Sequence, residues 1–183
     1  MAKHATPQEA ANRFIVAVIK NDIDEIGKLS GMSTENGLTP SEQFFGKLLA
    51  DAIRFENQRH PRDLEKYKWQ LGQCRENGNV CDMQVEIYIP DEATIARKAR
   101  VYMGDKVGSN GVLQMADPPL MTEEEAESKA SKETPPLHYR VPLMVERQGE
   151  EWHIAVPNEE YTAIMDVINK GDILIKNEKY RVK

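Results

Sequence analysis

The feature that most constrains this fold is a change in the spacing of apolar residues close to Leu64. Before that point apolar side chains recur every three or four residues, as they do on one face of a helix. After it they alternate with polar side chains, most clearly where Val85, Ile87 and Ile89 are interleaved with polar residues. The pattern predicts an α+β chain, with N-terminal helices packed on a curved antiparallel sheet.

Three predicted helices begin with a capping signal. Each has a Thr or Asp at the cap and a Glu three residues later, and two of them also place Pro at the first helical position. The stripes of apolar residues that follow are typical of core faces. The caps are Thr6, Asp22 and Thr39, and the predicted helices extend to about residues 20, 29 and 60.

The remainder of the chain is predicted to complete the sheet. A turn at residues 90–92 leads into a third strand, 94–103, and residues 104–136 form a long Gly- and Pro-containing insertion with a short helix capped by Thr122. Strands 137–147 and 152–156 form a hairpin, in which Pro142 indicates an edge strand or a bulge. A helix capped by residues 157–158 ends at Gly171, and a tail strand or arm follows.

These elements predict a single cone-like α+β domain over residues 1–171, with the insertion at 104–136 and a C-terminal tail or arm at 172–183. The 24 Lys and Arg residues against 30 Asp and Glu residues give a net charge of −6, with both signs interspersed. A nucleic-acid-binding protein is disfavoured, because such proteins need a basic stripe. The sequence shows no membrane-spanning segment. Residues 1–4 lead directly into a helix, so no secretory signal is visible, although one can be removed in maturation.

A β-hairpin is predicted where Asn77-Gly78 separates two β-patterned runs. A two-residue loop places Cys74 directly opposite Cys81, where a disulfide is geometrically feasible, provided that Gly72 carries a bulge that keeps Trp69 on the apolar face. A three-residue loop aligns the apolar faces without a bulge but separates the two cysteines. We favour the bulged, bridged form. A disulfide in turn favours a periplasmic or cell-envelope location over the cytoplasm.

The opening stretch, with its capped helix and Asn21-Asp22, and the closing stretch from Val145 to Ile154 resemble the nuclear transport factor two-like (cystatin-like cone) superfamily. The likeness is to small bacterial envelope or lipoprotein-type domains of unknown function. It implies a cone whose mouth holds a small molecule in some members, and a fold that serves enzymes, binding modules and interaction domains alike.

The residue pattern contains no recognisable catalytic motif. Tyr88 and Tyr102 are conceivable oxyanion donors and Asp82 a conceivable base, but polar residues on a solvated strand explain them more simply. Trp69 and Trp152 are, with the two tyrosines, the candidates for lining a pocket. The four histidines lack metal-ligand spacing and the cysteines lack a second pair, so no metal site and no cofactor is predicted.

The favoured function is therefore a non-enzymatic binding or protein-interaction module of the bacterial cell envelope, for which a toxin-neutralising (immunity-type) protein is one concrete form. The expected partner is a protein or a small apolar ligand, and a homodimer is one alternative. An isomerase or dehydratase that uses a cone pocket is the competing hypothesis. A structural assembly component is a third.

Overall fold

The computed structural model describes residues 6–30, 51, 52, 55, 62–155, 159–171 and 174–183. Within these ranges the chain forms two compact units: the residues up to Tyr88 together with those from His138 onward, and the segment Ile89–Leu137. We call them the first and second units. The elements in chain order are α1 (Pro7–Lys20), α2 (Ile23–Leu29), β1 (Lys68–Leu71), β2 (Arg75–Asn77), β3 (Val80–Ile89), α3 (Glu92–Met103), β4 (Lys106–Val107), β5 (Leu113–Gln114), α4 (Glu123–Glu133), β6 (Leu137–Gln148), β7 (Glu151–Ile154) and α5 (Glu159–Lys170).

The first two predicted helices are confirmed together with their caps. The Thr6 hydroxyl accepts a hydrogen bond from the Glu9 N–H, and the Glu9 carboxylate accepts one from the Thr6 N–H, as a capping box requires. The Asp22 carboxylate caps α2 in the same way through the Glu25 N–H. Most of the third predicted helix, from Thr39 to about residue 60, lies outside the described residues; 51, 52 and 55 are helical.

The sheet belongs to the first unit and is antiparallel and curved, in the order β1, β3, β6, β7, with β2 also paired to β3. One face is apolar and packs against α1, which also contacts α2, β7 and α5. The predicted α+β class, curved sheet and C-terminal helix are confirmed. The largest fully buried side chains of this core are Phe14, Ile15, Val18, Ile19, Leu29, Val85, Ile87, Tyr139, Val141, Leu143, Ile154 and Ile164.

The cysteine hairpin differs in register from the prediction. Its turn residues are Gly78 and Asn79, and Cys81 lies opposite Glu76, so the predicted Asn77-Gly78 loop and the direct opposition of the two cysteines were wrong. Gly78 takes the left-handed conformation, with φ +64°. Cys74 and Cys81 are nevertheless joined by a disulfide, with their Cα atoms 5.6 Å apart, within the usual range. The predicted disulfide is confirmed.

An extra residue between β1 and β2 makes the pairing of β1 with β3 compatible with the pairing of β2 with β3. Leu71 lies opposite Val85 and Arg75 lies opposite Asp82, so four steps along the first strand match three along β3. The extra residue is therefore present, but it lies between Gly72 and Arg75 rather than at Gly72, because the Gly72 N–H still donates to the Gln84 carbonyl in the register of β1. Trp69 is on the predicted apolar face, but it lies opposite Ile87 rather than Val85 because the whole strand is shifted by two residues.

The predicted edge position of Pro142 was wrong, because β6 lies between β3 and β7. The Met144 carbonyl accepts a hydrogen bond from the Ala155 N–H at 3.0 Å, on the β7 side. Every second residue of a strand directs its backbone N–H and C=O groups to the same neighbouring strand, so the backbone nitrogen of Pro142 also faces the β7 side. In the register of β6 and β7 the position opposite Pro142 is residue 157, which lies outside the described residues.

The C-terminal tail folds back onto the first unit. Residues Ile175–Tyr180 form a 3-10 helix, and Arg181 then makes a single antiparallel bridge to Tyr139, so the predicted tail strand is reduced to one residue pair. The buried Asn177 amide donates hydrogen bonds to the carbonyls of Gly171 and Asp166, near the end of α5. The bond to Gly171 satisfies a carbonyl that the end of the helix leaves unpaired.

The second unit contains the largest error of the sequence analysis. Residues 94–103, predicted as a strand, belong to α3, whose first turn is capped by the Asp91 carboxylate accepting from the Thr94 N–H. Gly104 ends the helix in the left-handed conformation, with φ +93°. The helix predicted after Thr122 is confirmed as α4, again with a capping box.

Candidate functional site

One face of α3 is used for packing within the second unit. Ile95 and Ala99 are buried against two fully buried alanines of α4, Ala126 and Ala130, with partly buried Tyr102 beside them. Small residues at these positions let the two helices approach closely. The α3–α4 pair therefore has its own apolar core, and the opposite face of α3 is left for other contacts.

That opposite face lines an open groove of about 360 Å³, which we call the α3 groove. One wall is α3 and the other is formed by the β4–β5 ribbon, in which Val107 lies opposite Leu113. The floor and rim of the groove combine small apolar, branched apolar and basic side chains. Its lining residues are Ala93, Ala96, Arg97, Arg100, Val101, Asp105, Val107 and Leu113.

Apolar side chains of the groove are unusually exposed. The exposed fraction is 64% for Val101, 71% for Val107 and 38% for Leu113. Next to Leu113 in the chain, Val112 and Met115 are also exposed, by 57% and 79%. Scattered exposed apolar residues are ordinary, but a contiguous group of them marks an interaction surface.

The free charges of the groove are positive. The Arg97 guanidinium donates only a long bond, 3.4 Å, to the Thr94 hydroxyl, and the Arg100 guanidinium makes no hydrogen bond or ion pair within the described part of the chain. The one carboxylate in the lining, Asp105, accepts a 3.0 Å bond from the Ala116 N–H. The groove therefore offers an apolar floor with two uncommitted guanidinium groups on its helix side.

Local backbone structure fixes the ribbon beside the helix. The left-handed Gly104 turns the chain out of α3, and the Met103 carbonyl accepts a 3.0 Å bond from the Leu120 N–H, which closes the loop that contains the ribbon. Within the ribbon, the Gly108 N–H donates to the Val112 carbonyl at 2.9 Å. Both walls of the groove are thus held by backbone hydrogen bonds.

A polar cluster lies on the outer face of the sheet in the first unit. The Arg140 guanidinium donates to the Glu86 carboxylate through Nε at 3.0 Å and Nη2 at 2.5 Å. His138 Nε2 lies 3.5 Å from the same carboxylate, and its ring stacks on Tyr88 with 4.2 Å between centroids. The hydrogen bond from Arg140 holds the pKa of Glu86 below its usual value. An exposed, ionised and already paired carboxylate is a poor general base or acid.

The pocket candidates from the sequence are not brought to one place. Trp69 pairs across the sheet with Ile87 on the apolar face, and its indole N–H donates to the Asn12 amide oxygen at 2.9 Å. Tyr88 follows Ile87 in the strand and so faces the other side. Trp152 is only 7% exposed.

The two remaining candidates are Tyr102 and Asp82. Tyr102 belongs to the second unit, where its hydroxyl donates to the Glu133 carboxylate; this hydrogen bond raises the pKa of Tyr102 above its usual value. Asp82, considered as a base, lies in the cysteine hairpin opposite Arg75.

The α3 groove was not predicted from the sequence, because residues 94–103 were predicted to form a strand. Two local signals identify the helix: the Asp91 cap three residues before Thr94, and Gly104 directly after the last apolar residue. Helical spacing then puts Ala93, Arg97 and Val101 on the face opposite Ile95 and Ala99.

The described residues contain neither a candidate metal site nor a candidate membrane-spanning helix. In those ranges no three or more His, Cys, Asp or Glu side chains are grouped so that they could hold a metal ion. Nor does any described helix combine the length and apolar character needed to cross a bilayer.

Comparison with known proteins identifies no relative by sequence. No protein-family model matches the chain, and no curated protein does. Among solved structures, the chain is similar to a putative calcium/calmodulin-dependent protein kinase type II association domain from Thiobacillus denitrificans. That likeness has a TM-score of 0.41 and 11% identity, and it covers 85% of this chain and 94% of the other.

Proposed function

We propose that the protein is a non-enzymatic interaction module that binds a protein partner through the α3 groove. The observation that carries the proposal is the concentration of exposed large apolar side chains in the second unit, where Val101, Val107 and Leu113 line this groove. Eight such side chains are exposed in the described residues, and six of them belong to the second unit: Val101, Val107, Val112, Leu113, Met115 and Leu120. Apolar surface gathered in this way is stabilised when a partner removes it from water.

The ionisable groups support a binding role over catalysis. An isomerase or dehydratase of the competing hypothesis needs a carboxylate of raised pKa beside a tyrosine in a water-excluded pocket. Among the described carboxylates with a clear shift, Glu86 and Glu125, the pKa is lowered in both cases by hydrogen bonds, from Arg140 and from Thr122 respectively. The pKa of Glu86, which lies two residues from Tyr88 on the same face of β3, is therefore shifted in the direction opposite to the one catalysis requires.

The Cys74–Cys81 disulfide supports an extracytoplasmic location as part of the proposal. Structural disulfides persist in oxidising compartments and are rare in the cytosol of most organisms. We place the module in the bacterial cell envelope, as a member of the nuclear transport factor two-like superfamily. A toxin-neutralising role is the narrower form of the same proposal, because such a protein acts by occupying a partner's surface.

The test is a capture experiment that compares matched variants of the full chain. The double variant Val101→Asp/Leu113→Asp places two charges in the groove at positions that are already exposed. The control, Ile175→Asp, makes the same kind of change at a side chain that is 79% exposed on the 3-10 helix of the first unit. Circular dichroism and hydrogen exchange are used to check that both variants keep the fold.

We expect a bacterial envelope extract to yield a protein that is retained by the native chain and by Ile175→Asp, and that is lost from Val101→Asp/Leu113→Asp. Equal retention by all three chains would mean that the groove is not the interaction surface. Light scattering on the purified chain separates a homodimer from a foreign partner, because only a homodimer changes mass with the groove variant in the absence of extract.

A further inference from the structure

We propose that the groove's partner is an amphipathic helix with an apolar stripe flanked by carboxylates. This inference deepens the proposed function and rests on it. It follows from two properties of the α3 groove that are independent of each other, its shape and its uncommitted charge.

The shape suits a helix laid along α3. Ala93 and Ala96 are exposed on this face, and their single methyl groups let a partner backbone come close to α3. Val101 at one end and the Val107–Leu113 pair on the ribbon form raised apolar walls. An apolar stripe that enters between such walls is the geometry of helix-in-groove recognition.

The charge selects an acidic partner. Arg97 and Arg100 are three residues apart on α3, so their guanidinium groups project from neighbouring positions on one helix face. Carboxylates spaced by three or four residues on a partner helix would meet both. Asp105, the one carboxylate in the lining, accepts a hydrogen bond from the Ala116 N–H and forms no ion pair with Arg97 or Arg100. A lysine-flanked helix would instead bring like charges together.

An anionic membrane is a less suitable occupant of the same surface. The second unit carries nine Asp and Glu residues against six Lys and Arg. Recognition of anionic lipid relies on clusters of about four to eight basic residues. The lining of the groove offers two, Arg97 and Arg100, which can meet a pair of carboxylates but do not form such a cluster.

A second copy of this chain is also a less suitable occupant. The acidic helix that the second unit offers is α4, with Glu123, Glu124 and Glu125 in its first turn. Its apolar side chains, Ala126 and Ala130, are fully buried against α3. The second unit of a copy would therefore present carboxylates without the apolar stripe that the groove requires.

The test uses two synthetic helical peptides with the same leucine stripe, one flanked by Glu and the other by Lys. Each is titrated into the ¹⁵N-labelled full chain by calorimetry and by amide chemical shifts. We expect the Glu peptide to bind about tenfold more tightly, since two rim ion pairs contribute together. Its shifts should map to residues 93–101 and 107–113, and its affinity should fall as salt is raised.

The variant Arg97→Glu/Arg100→Glu should reverse the preference between the peptides, while Lys132→Glu on α4 should leave it unchanged. Equal affinity for both peptides, or a Glu preference that survives the arginine reversal, would overturn the inference. Binding to vesicles of phosphatidylcholine and phosphatidylserine that is lost in the same arginine variant, with no peptide binding, would also overturn it, in favour of a membrane.

The capture experiment separates failure of this inference from failure of the proposed function. If the native partner is lost from Val101→Asp/Leu113→Asp but retained by Arg97→Glu/Arg100→Glu, the interaction function stands and the acidic helix is refuted. If the partner is retained by every variant, the groove itself is refuted.

Discussion

Replacing Gly104 by alanine should loosen the structure that holds the two walls of the α3 groove together. Gly104 has φ +93°, a conformation that costs an L residue about 1 to 2 kcal/mol. The new Cβ would also lie 2.9 Å from Leu120 Cγ and 3.2 Å from Ala116 Cβ. Leu120 is exposed and can rotate away, but Ala116 is held by its hydrogen bond to Asp105. We therefore add about 1 kcal/mol for overpacking and expect about 2 to 3 kcal/mol in total.

Gly111→Ala is the matched control within the same unit. Its φ is +76°, but a Cβ there meets no atom within 4 Å, so it bears only the backbone cost. Hydrogen exchange of the α3 and α4 amides measures the local free energy of opening in each variant. We expect Gly104→Ala to lower it for both helices, and Gly111→Ala to affect mainly the ribbon. Equal effects of the two substitutions on α3 would refute the close approach of Ala116 to Gly104.

Three further predictions concern caps, the disulfide and the ion cluster. Thr122→Ala should lower the free energy of opening of α4, measured by hydrogen exchange, by about 1 kcal/mol, because it removes the capping hydroxyl. An unchanged rate of exchange in α4 would contradict the capping box. Reduction of Cys74–Cys81 should lower the free energy of unfolding of the first unit, measured in urea, by about 2 kcal/mol, a modest loss because the closed loop is short. Two titratable thiols in unreduced protein would contradict the disulfide. Arg140→Gln should raise the pKa of Glu86 in a ¹³C carboxyl titration. Because the pKa of Glu86 is lower in the folded chain than in the unfolded chain, its ion pair with Arg140 stabilises the fold fully at pH values above the unfolded-state pKa. That stabilisation is lost as the pH falls through the folded-state pKa.

The sequence was most informative where a structure depends on neighbouring residues. The caps of α1, α2 and α4 each need only a hydroxyl or carboxylate and a residue three positions later, and all three are present. The alternation in β3 likewise predicts its buried face, because the period of a strand is set by the backbone.

The errors arose where two local patterns fit the same residues. In α3 the apolar residues Ile95, Ala99 and Met103 satisfy a period of two as well as helical spacing, so periodicity alone did not decide. In the cysteine hairpin, shifting the turn by one residue to Gly78-Asn79 changes the partner of every residue in the two strands. The position of the extra residue after Gly72 is fixed only by the pairing of β1 with β3. The α3 groove exists only if residues 92–103 form a helix, and so it was not predicted.

The most direct test of the interaction surface is site-specific photocrosslinking in the bacterial envelope. A benzophenone side chain at Ala96 lies in the α3 groove, and one at Ser128 lies on the exposed side of α4. We predict that Ala96 gives a defined adduct with one foreign protein and that Ser128 gives none. An adduct at Ser128 with none at Ala96 would contradict the assignment of the groove as the binding surface.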